Sequence, residues 1–436
     1  MRVSRIAGVL VALTCGAVAQ ELAPEAALLA KIKIHLRREF SNLPNYTCLE
    51  TIARFQKQPV QSRRETNPKM LALDTVRLEV AYSDGREWYS SPGDRRFRDD
   101  SPAAFIGSGM MGNGAFALAT NNLFVHNAAT FTYRGEEAVG GRMAIRYDVV
   151  LSRLMKPLHI SLAGGSGAVG EEGSFWVDPQ SLDLLRLELR ASEIPPFLPL
   201  VAMGMTVNYA RTRIGQHHTL LPQEADLHLI KLPGDDPSES YNHFEFTHCR
   251  MFQTQSNIRF DALPVDSAPA AVAPVPEPEK AVPALLPVTV RLTTSITDKE
   301  TVGTLIEGEI ADDVRRKGKI VLPRGSAVRG RIRRLERFEN DRYFVVGLEF
   351  TEVKANDESL RFYADLLSID KIPGIRAALS KQVFVHRAPS GTGYDPAIEK
   401  ITLQELPGVA SFFVQGATFT LPAGFRTFWR TRGLIR

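Results

Sequence analysis

The chain has 436 residues, with 53 Lys and Arg against 49 Asp and Glu and a formal net charge of +4. A dedicated nucleic-acid binder is normally strongly basic, so this balance argues against nucleic acid as a partner. A hydrophobic content of 44% indicates folded material, and the length exceeds what one core usually serves, so at least two domains are expected.

Residues 1–19 read as a secretion signal. Arg2 and Arg5 give a positive start, Ile6 to Leu13 a short apolar run, and Ala17-Val18-Ala19 the small-x-small pattern of a signal-peptidase site before Gln20. The run is shorter than the roughly 20 apolar residues that a span needs, as is the later stretch Pro195 to Met205. Lipidation of Cys15 is a competing reading, but Ala12 and Thr14 fit a lipoprotein signal poorly. A retained anchor is a third. The expected location is the periplasm or the extracellular space. With Cys15 removed, Cys48 and Cys249 remain as an even pair, which in an exported protein points to a disulfide. Two buried free thiols are the alternative. The bridge would tie the first strand of the first domain to its last.

Glu21 to Phe40 has a helical stripe, with Leu28, Ile32, Leu36 and Phe40 recurring every four residues and Pro44 beyond as a stop. The period then switches to two. Strands are expected at Tyr46–Phe55, Val76–Tyr82, Glu87–Ser90, Phe131–Tyr133, Met143–Leu151, Leu158–Leu162, Ser174–Val177, Leu184–Ala191, Val207–Arg213, Glu224–Lys231 and His243–Phe252. A short helix is expected at Ala115–Phe124. Regular short strands between turns indicate a curled antiparallel sheet, and the single helix would cover its open face.

Residues 263–286 are dominated by Pro, Ala and Val and read as a semi-extended linker. Residues 287–436 return to period two. Strands are expected at Val288–Thr293, Leu305–Ile310, Lys319–Leu322, Ala327–Ile332, Tyr343–Phe350, Ser359–Leu367, Phe412–Gln415 and Thr418–Leu421, with 373–401 less regular. The organisation expected is therefore a signal (1–19), a half-barrel domain (20–262), a linker (263–286) and a small β-barrel or sandwich (287–436). The fold class is mainly β.

Two stretches resemble known families. Gly173-Ser174-Phe175-Trp176-Val177-Asp178-Pro179 followed by Leu184-Leu185-Arg186-Leu187 resembles a hairpin of LolA-like lipoprotein carriers. That resemblance implies an unclosed antiparallel barrel, capped by helices, around an apolar cavity. The Cys48 and Cys249 pair is not a general feature of those carriers. Gly303-Thr304-Leu305-Ile306-Glu307-Gly308-Glu309-Ile310, then Ile320-Val321-Leu322-Pro323-Arg324-Gly325-Ser326-Ala327-Val328-Arg329-Gly330, resembles the β-barrel of TrbI-type conjugation and secretion proteins. It implies a barrel module without their transmembrane N-terminus.

Motifs with catalytic potential fail on context. Gly165-Ser166-Gly167-Ala168-Val169-Gly170 has the form G-x-G-x-x-G, but a dinucleotide site needs a helix N-terminus after it. Glu171-Glu172 and a strand follow, so the segment reads as a flexible hairpin loop. His217, His218, His228, His243 and His248 cluster in sequence, yet His243 and His248 have opposite parity on one strand and no H-E-x-x-H occurs. Ser166 and Ser108 lack the G-x-S-x-G frame of a nucleophile elbow. No catalytic residue, metal ligand or cofactor is assigned, and an enzyme is not expected.

A basic tract runs from Arg315 to Arg337 with Glu336 as its single acid. Arg329, Arg331 and Arg333 share one strand face, opposite Val328, Gly330 and Ile332. That face could dock anionic lipid, acidic polysaccharide or an acidic envelope protein. It could equally be a solvated face balanced by neighbours such as Glu349 and Glu352. Two functions are carried forward: an exported non-enzymatic protein that binds lipid or another apolar ligand in the first domain, or an envelope interaction module docking through the basic face.

Overall fold

The computed structural model describes residues 23–43, 45–57, 69–83, 86–94, 96–98, 102–112, 116–125, 129–155, 158–162, 164–232, 239–251, 259–261, 280–338, 342–378, 382–386, 398–403 and 406–433. The segments expected as the signal and as most of the linker lie outside them. Mainly β structure is what the alternating patterns predict and what forms.

The helix α1 spans Pro24–Ser41 and buries Ile32, Leu36 and Phe40. Proline at its start is suited to a position whose N–H needs no intrahelical partner. Each buried side chain of this size contributes about 1.5–3 kcal/mol.

Thirteen strands form the first sheet: β1 (Tyr46–Lys57), β2 (Met70–Ser83), β3 (Arg86–Ser90), β4 (Arg96–Arg98), β5 (Thr130–Val139), β6 (Arg142–Leu151), β7 (Leu158–Leu162), β8 (Gly165–Val177), β9 (Leu184–Ser192), β10 (Leu200–Ile214), β11 (His217–Lys231), β12 (Glu239–Met251) and β13 (Arg259–Asp261). Their order is β13-β4-β3-β2-β1-β12-β11-β10-β9-β8-β6-β5, with β7 on β8. Neighbours are antiparallel apart from the β13–β4 pair. The first strand thus lies beside β12 in mid-sheet. There Cys48 and Cys249 are joined by a disulfide with Cα atoms 4.0 Å apart.

Two local expectations change. Gly165–Gly170 is the opening half of β8, paired with β7, and not a loop. Gly173 in the same strand is required by close packing: a Cβ there would lie 1.9 Å from Glu188 O. The expected helix at Ala115–Phe124 shrinks to an α turn at Leu118–Thr120 and a π turn at Asn121–Val125.

The remaining strands are β14 (Pro287–Leu292), β15 (Ile296–Thr297), β16 (Leu305–Ile310), β17 (Val314–Arg316), β18 (Lys319–Leu322), β19 (Ala327–Phe338), β20 (Tyr343–Ala355), β21 (Glu358–Arg361), β22 (Ala364–Ile369), β23 (Ile375–Ala377), β24 (Gln382–His386), β25 (Ile398–Thr402), β26 (Ala410–Gln415), β27 (Thr420–Leu421) and β28 (Arg426–Thr431). Nine of them make a second sheet, ordered β22-β28-β14-β16-β19-β20-β26-β23 with β21 on β20. Residues 280–286, expected as linker, are packed onto this sheet: Val282 N–H donates to Arg361 O, and Val282 and Leu286 are buried.

The two sheets share one hydrophobic core. Val302 lies beside Val76 as a parallel bridge, exchanging backbone bonds of 2.9 Å with Thr75 and Arg77. Gly303 follows with φ of 97°, and a Cβ there would come within 2.5 Å of Arg77 O, so only glycine allows the approach.

Candidate functional site

Alternation fixes what the first sheet presents to its concave side. On β1 the side chains of Tyr46, Glu50, Ile52, Arg54 and Gln56 are buried, and on β12 those of Ser240, Asn242, Phe244 and Phe246. They meet a cover made from three pieces. One is α1. The second is 102–112, whose backbone accepts hydrogen bonds from Arg54 at Ser108 O (2.7 Å) and from Asn242 at Met110 O (3.1 Å). The third is 116–125: the Phe116 ring lies 5.0 Å from Tyr46 and 5.3 Å from Phe246, and Phe124 lies 5.2 Å from Phe175.

The helix is tethered at its polar edge. His35 contacts Asp183 at 2.9 Å, and Arg211 donates to the same carboxylate at 2.6 Å. Burial would raise the Asp183 pKa, but these bonds and charges hold it below the usual carboxylate range. Arg37 also donates to Val125 O, joining helix and third piece at 2.8 Å.

The concavity is therefore filled by the chain itself. Two depressions lie at the surface. One, of about 290 Å³, lies beside the disulfide and is lined by Thr47, Cys48, Leu49, Glu79, Pro92, His248 and Arg250. The other, of about 280 Å³, is lined by Arg38, Glu39, Asn42, His217, His218, Thr219 and Met251.

Within the filled interior sit two polar clusters. The first is Glu50, Glu87 and Tyr89 with Tyr46, Tyr82 and Tyr209. Tyr89 Oη donates to Glu87 at 2.6 Å, and the Ala117 N–H of the cover donates to its other oxygen at 2.8 Å. Burial, reinforced by Glu87, pushes the Glu50 pKa up to about 8. The second lies where the sheets meet. Arg54 and Asp74 form a two-pronged ion pair, each with a side chain 1% exposed. Arg334 and Glu336 on β19 are buried beside them, and Arg334 Nη2 reaches Gly107 O at 3.4 Å. Burial raises the Glu336 pKa and outweighs the pull of Arg334.

The three arginines singled out in the sequence do not share one open face. Arg329 is exposed, with Glu307 at 3.9 Å. Arg331 donates to Gly303 O at 3.1 Å. Arg333 pairs with Glu349 and reaches Ala104 O, so it binds the cover of the first sheet. The clustered histidines are dispersed as well: His228 contacts Glu239 at 2.9 Å and His243 contacts Asp226 at 2.8 Å. His217 and His218 are exposed at the start of β11 and border the second depression.

Sequence reasoning did not single out Glu50, Arg54 or Glu87, and saw Arg334 and Glu336 only as members of the basic tract. Glu50 and Arg54 have the parity of Tyr46 and Ile52, so a charged residue on an inward register was the available signal. Arg334 and Glu336 share in sequence the parity of Val328 and Ile332, and between Ile332 and Arg334 an irregularity then resets the alternation of β19.

No family model matches the chain, and no curated protein matches it. Solved structures do. A DUF1329 family protein from Desulfovibrio piger is 12% identical, covering 52% of this chain and 93% of its own, with a TM-score of 0.29. A putative outer membrane lipoprotein-sorting protein domain from Vibrio parahaemolyticus is 10% identical, over 52% and 92%, at 0.28. A LolA superfamily protein from Nitrosomonas europaea is 7% identical, over 52% and 96%, at 0.24. At these scores function has to be read from this chain's own geometry.

Proposed function

We propose that the chain is an exported, non-enzymatic envelope protein whose first sheet binds a lipid or other apolar ligand in the space held by residues 102–112 and 116–125. One observation carries this: apart from the place at Arg54 and Asp74 where the second sheet meets it, the apolar concave face is covered by a helix and two irregular segments. Phe105, Ile106, Met110, Met111, Phe116, Leu123 and Phe124 supply the apolar filling of those segments. Irregular segments held by scattered hydrogen bonds open at lower free energy than strands in a ladder. Their withdrawal would leave a concave apolar surface of the kind that takes an apolar ligand. The disulfide and the signal-like start support export, since such bonds persist in oxidising compartments. The second sheet, which carries the TrbI-like strand pattern, acts in this reading as the module that holds the cover through Arg333 and Arg334.

The test is to express the chain with its own N-terminus, purify it gently and identify co-purifying lipids by mass spectrometry, then titrate the delipidated protein with Nile red, an uncharged apolar dye. A stoichiometric lipid, or saturable dye binding displaced by a neutral lipid, is the expected result. A lipid-free protein that takes up no dye overturns the reading.

A further inference from the structure

The basic tract has no single open face on β19, but its first half lies elsewhere. The strands β17 and β18 form a separate two-stranded hairpin, with Arg315 opposite Ile320 and Arg316 opposite Lys319. Its loop is Lys317-Gly318, with φ of 49° and 80°, a two-residue turn whose twist matches that of its strands. Val314 and Leu322 at the base are buried in the core, whereas every residue from Arg315 to Ile320 is exposed. Nothing lies within 4 Å of where a Cβ would stand at Gly318, nor at Gly325 in the next turn, which carries Arg324. Asp313 holds the two turns side by side: it accepts from the Arg324 N–H at 3.0 Å and from Arg315 Nη2 at 3.4 Å. Both therefore project into solvent from one place on the second sheet.

The charge at that place is unbalanced. Residues 312–324 hold five cations against Asp312 and Asp313. The side chains of Arg316, Lys317, Lys319 and Arg324 make no hydrogen bond, ion pair or ring contact among the described residues. Other arginines of the second sheet are paired: Arg291 with Glu309, Arg333 with Glu349, Arg426 with Asp370. Beside the cations, Ile320 leaves 43% of its surface in water.

We infer that this hairpin docks the protein on an anionic phospholipid surface, an interaction that stands apart from the apolar-ligand reading. The charge is complementary, and phosphate head groups are mobile, so they can move to cations that nothing holds in a fixed geometry. An acidic protein patch or an acidic polysaccharide has its charges at set spacings and is better met by ordered side chains or a groove, whereas a projecting tip meets a flat, fluid surface without a matching shape. Lys and Arg stems lie along the apolar boundary while their heads stay with the phosphates. Ile320, across from Arg315, supplies an aliphatic group at the same depth.

The experiment co-sediments the full exported chain with vesicles of phosphatidylcholine, alone or enriched in phosphatidylglycerol, with dextran sulfate as a soluble polyanion in a parallel assay. Binding is expected to be at least about a hundredfold tighter to the anionic vesicles, and to be lost at about 1 M salt, where the screening length is about 3 Å. Lys319→Gln should weaken it about fivefold, and Arg316→Gln, Lys317→Asn and Lys319→Gln together about a hundredfold, from about 1 kcal/mol for each cation. Asparagine tolerates the left-handed φ at that turn position. Arg190→Gln removes the same charge from an exposed arginine of the first sheet and should leave binding unchanged. Ile320→Ser should weaken binding and leave its salt dependence as it was. Equal binding to both kinds of vesicle overturns the inference, and this comparison needs no variant. An equal loss from Lys319→Gln and Arg190→Gln also overturns it, since net charge alone would then be at work. So does capture by dextran sulfate of a protein that ignores anionic vesicles, which would make the partner a soluble polyanion. Dye uptake by the first sheet is read separately, so either reading can fail without the other.

Discussion

Glu50 and Glu171 are two residues through which pH should act on stability. Burial pushes Glu50 up to about 8 and Glu171 up to about 7, from an ordinary value of 4.5. A raised acid binds its proton more tightly when folded, so between these limits the folded state carries more protons than the unfolded one. Stability then falls as pH rises from about 4.5 to about 8 and is greatest on the acid side of that window. Glu50→Gln removes one titrating group and keeps the neutral shape. Thermal melts from pH 5 to 9 should show the variant matching the parent at pH 5 and melting higher at pH 8. Identical pH profiles for the two proteins would contradict the assignment. The Arg54–Asp74 pair is buried, with Arg54 donating also to Ser108 O, and a buried pair broken on one side loses about 3–5 kcal/mol.

Among the elements, the β1–β12 junction governs the first sheet. Cys48 and Cys249 close a loop with a sequence separation of 201 across adjacent strands. Removing such a bridge from the unfolded ensemble costs about 2–5 kcal/mol. Cys48→Ala with Cys249→Ala should lower the urea midpoint by a corresponding amount and leave the far-ultraviolet spectrum unchanged; an unaltered midpoint would show that the bridge constrains nothing. The elements legible from sequence were those whose inward residues are apolar, such as α1 with Ile32, Leu36 and Phe40, or β20 with its run of buried Val and Phe. The strand β28 was not anticipated. Its inward positions are Thr427, Trp429 and Thr431, two of them polar, while Phe428 faces the other way, so the hydrophobic alternation is reversed. The threonines are satisfied by backbone carbonyls, Thr427 at Val290 O and Thr431 at Pro283 O, which local sequence does not reveal.

At the scale of the molecule, the join between the sheets is built from backbone and from charge. Gly303 sits at the backbone join, against Arg77 O. Gly303→Val should separate the sheets without unfolding them. Small-angle scattering would then report a larger radius of gyration while the β signal in circular dichroism is kept; an unchanged radius would mean that the contact is dispensable. The same join explains the basic tract. A single strand shows Arg329, Arg331 and Arg333 as one row, but Arg331 is turned into a bond with Gly303 beside its own sheet and Arg333 into one with Ala104 in the cover of the other.

The sequence alone determined the mainly β class, the covering helix, the positions of most strands and the choice of Cys48 and Cys249 as partners. Each follows from a local period or from the arithmetic of a small set, and both can be read without knowing which residues meet in space. Only the tertiary structure decided that the β1–β12 pair lies in mid-sheet, that 102–112 and 116–125 fill the concavity, and that Arg54, Asp74, Arg334 and Glu336 meet at one buried place. Those outcomes depend on contacts between residues far apart in sequence, where a one-residue irregularity such as that after Ile332 turns a side chain from solvent to core.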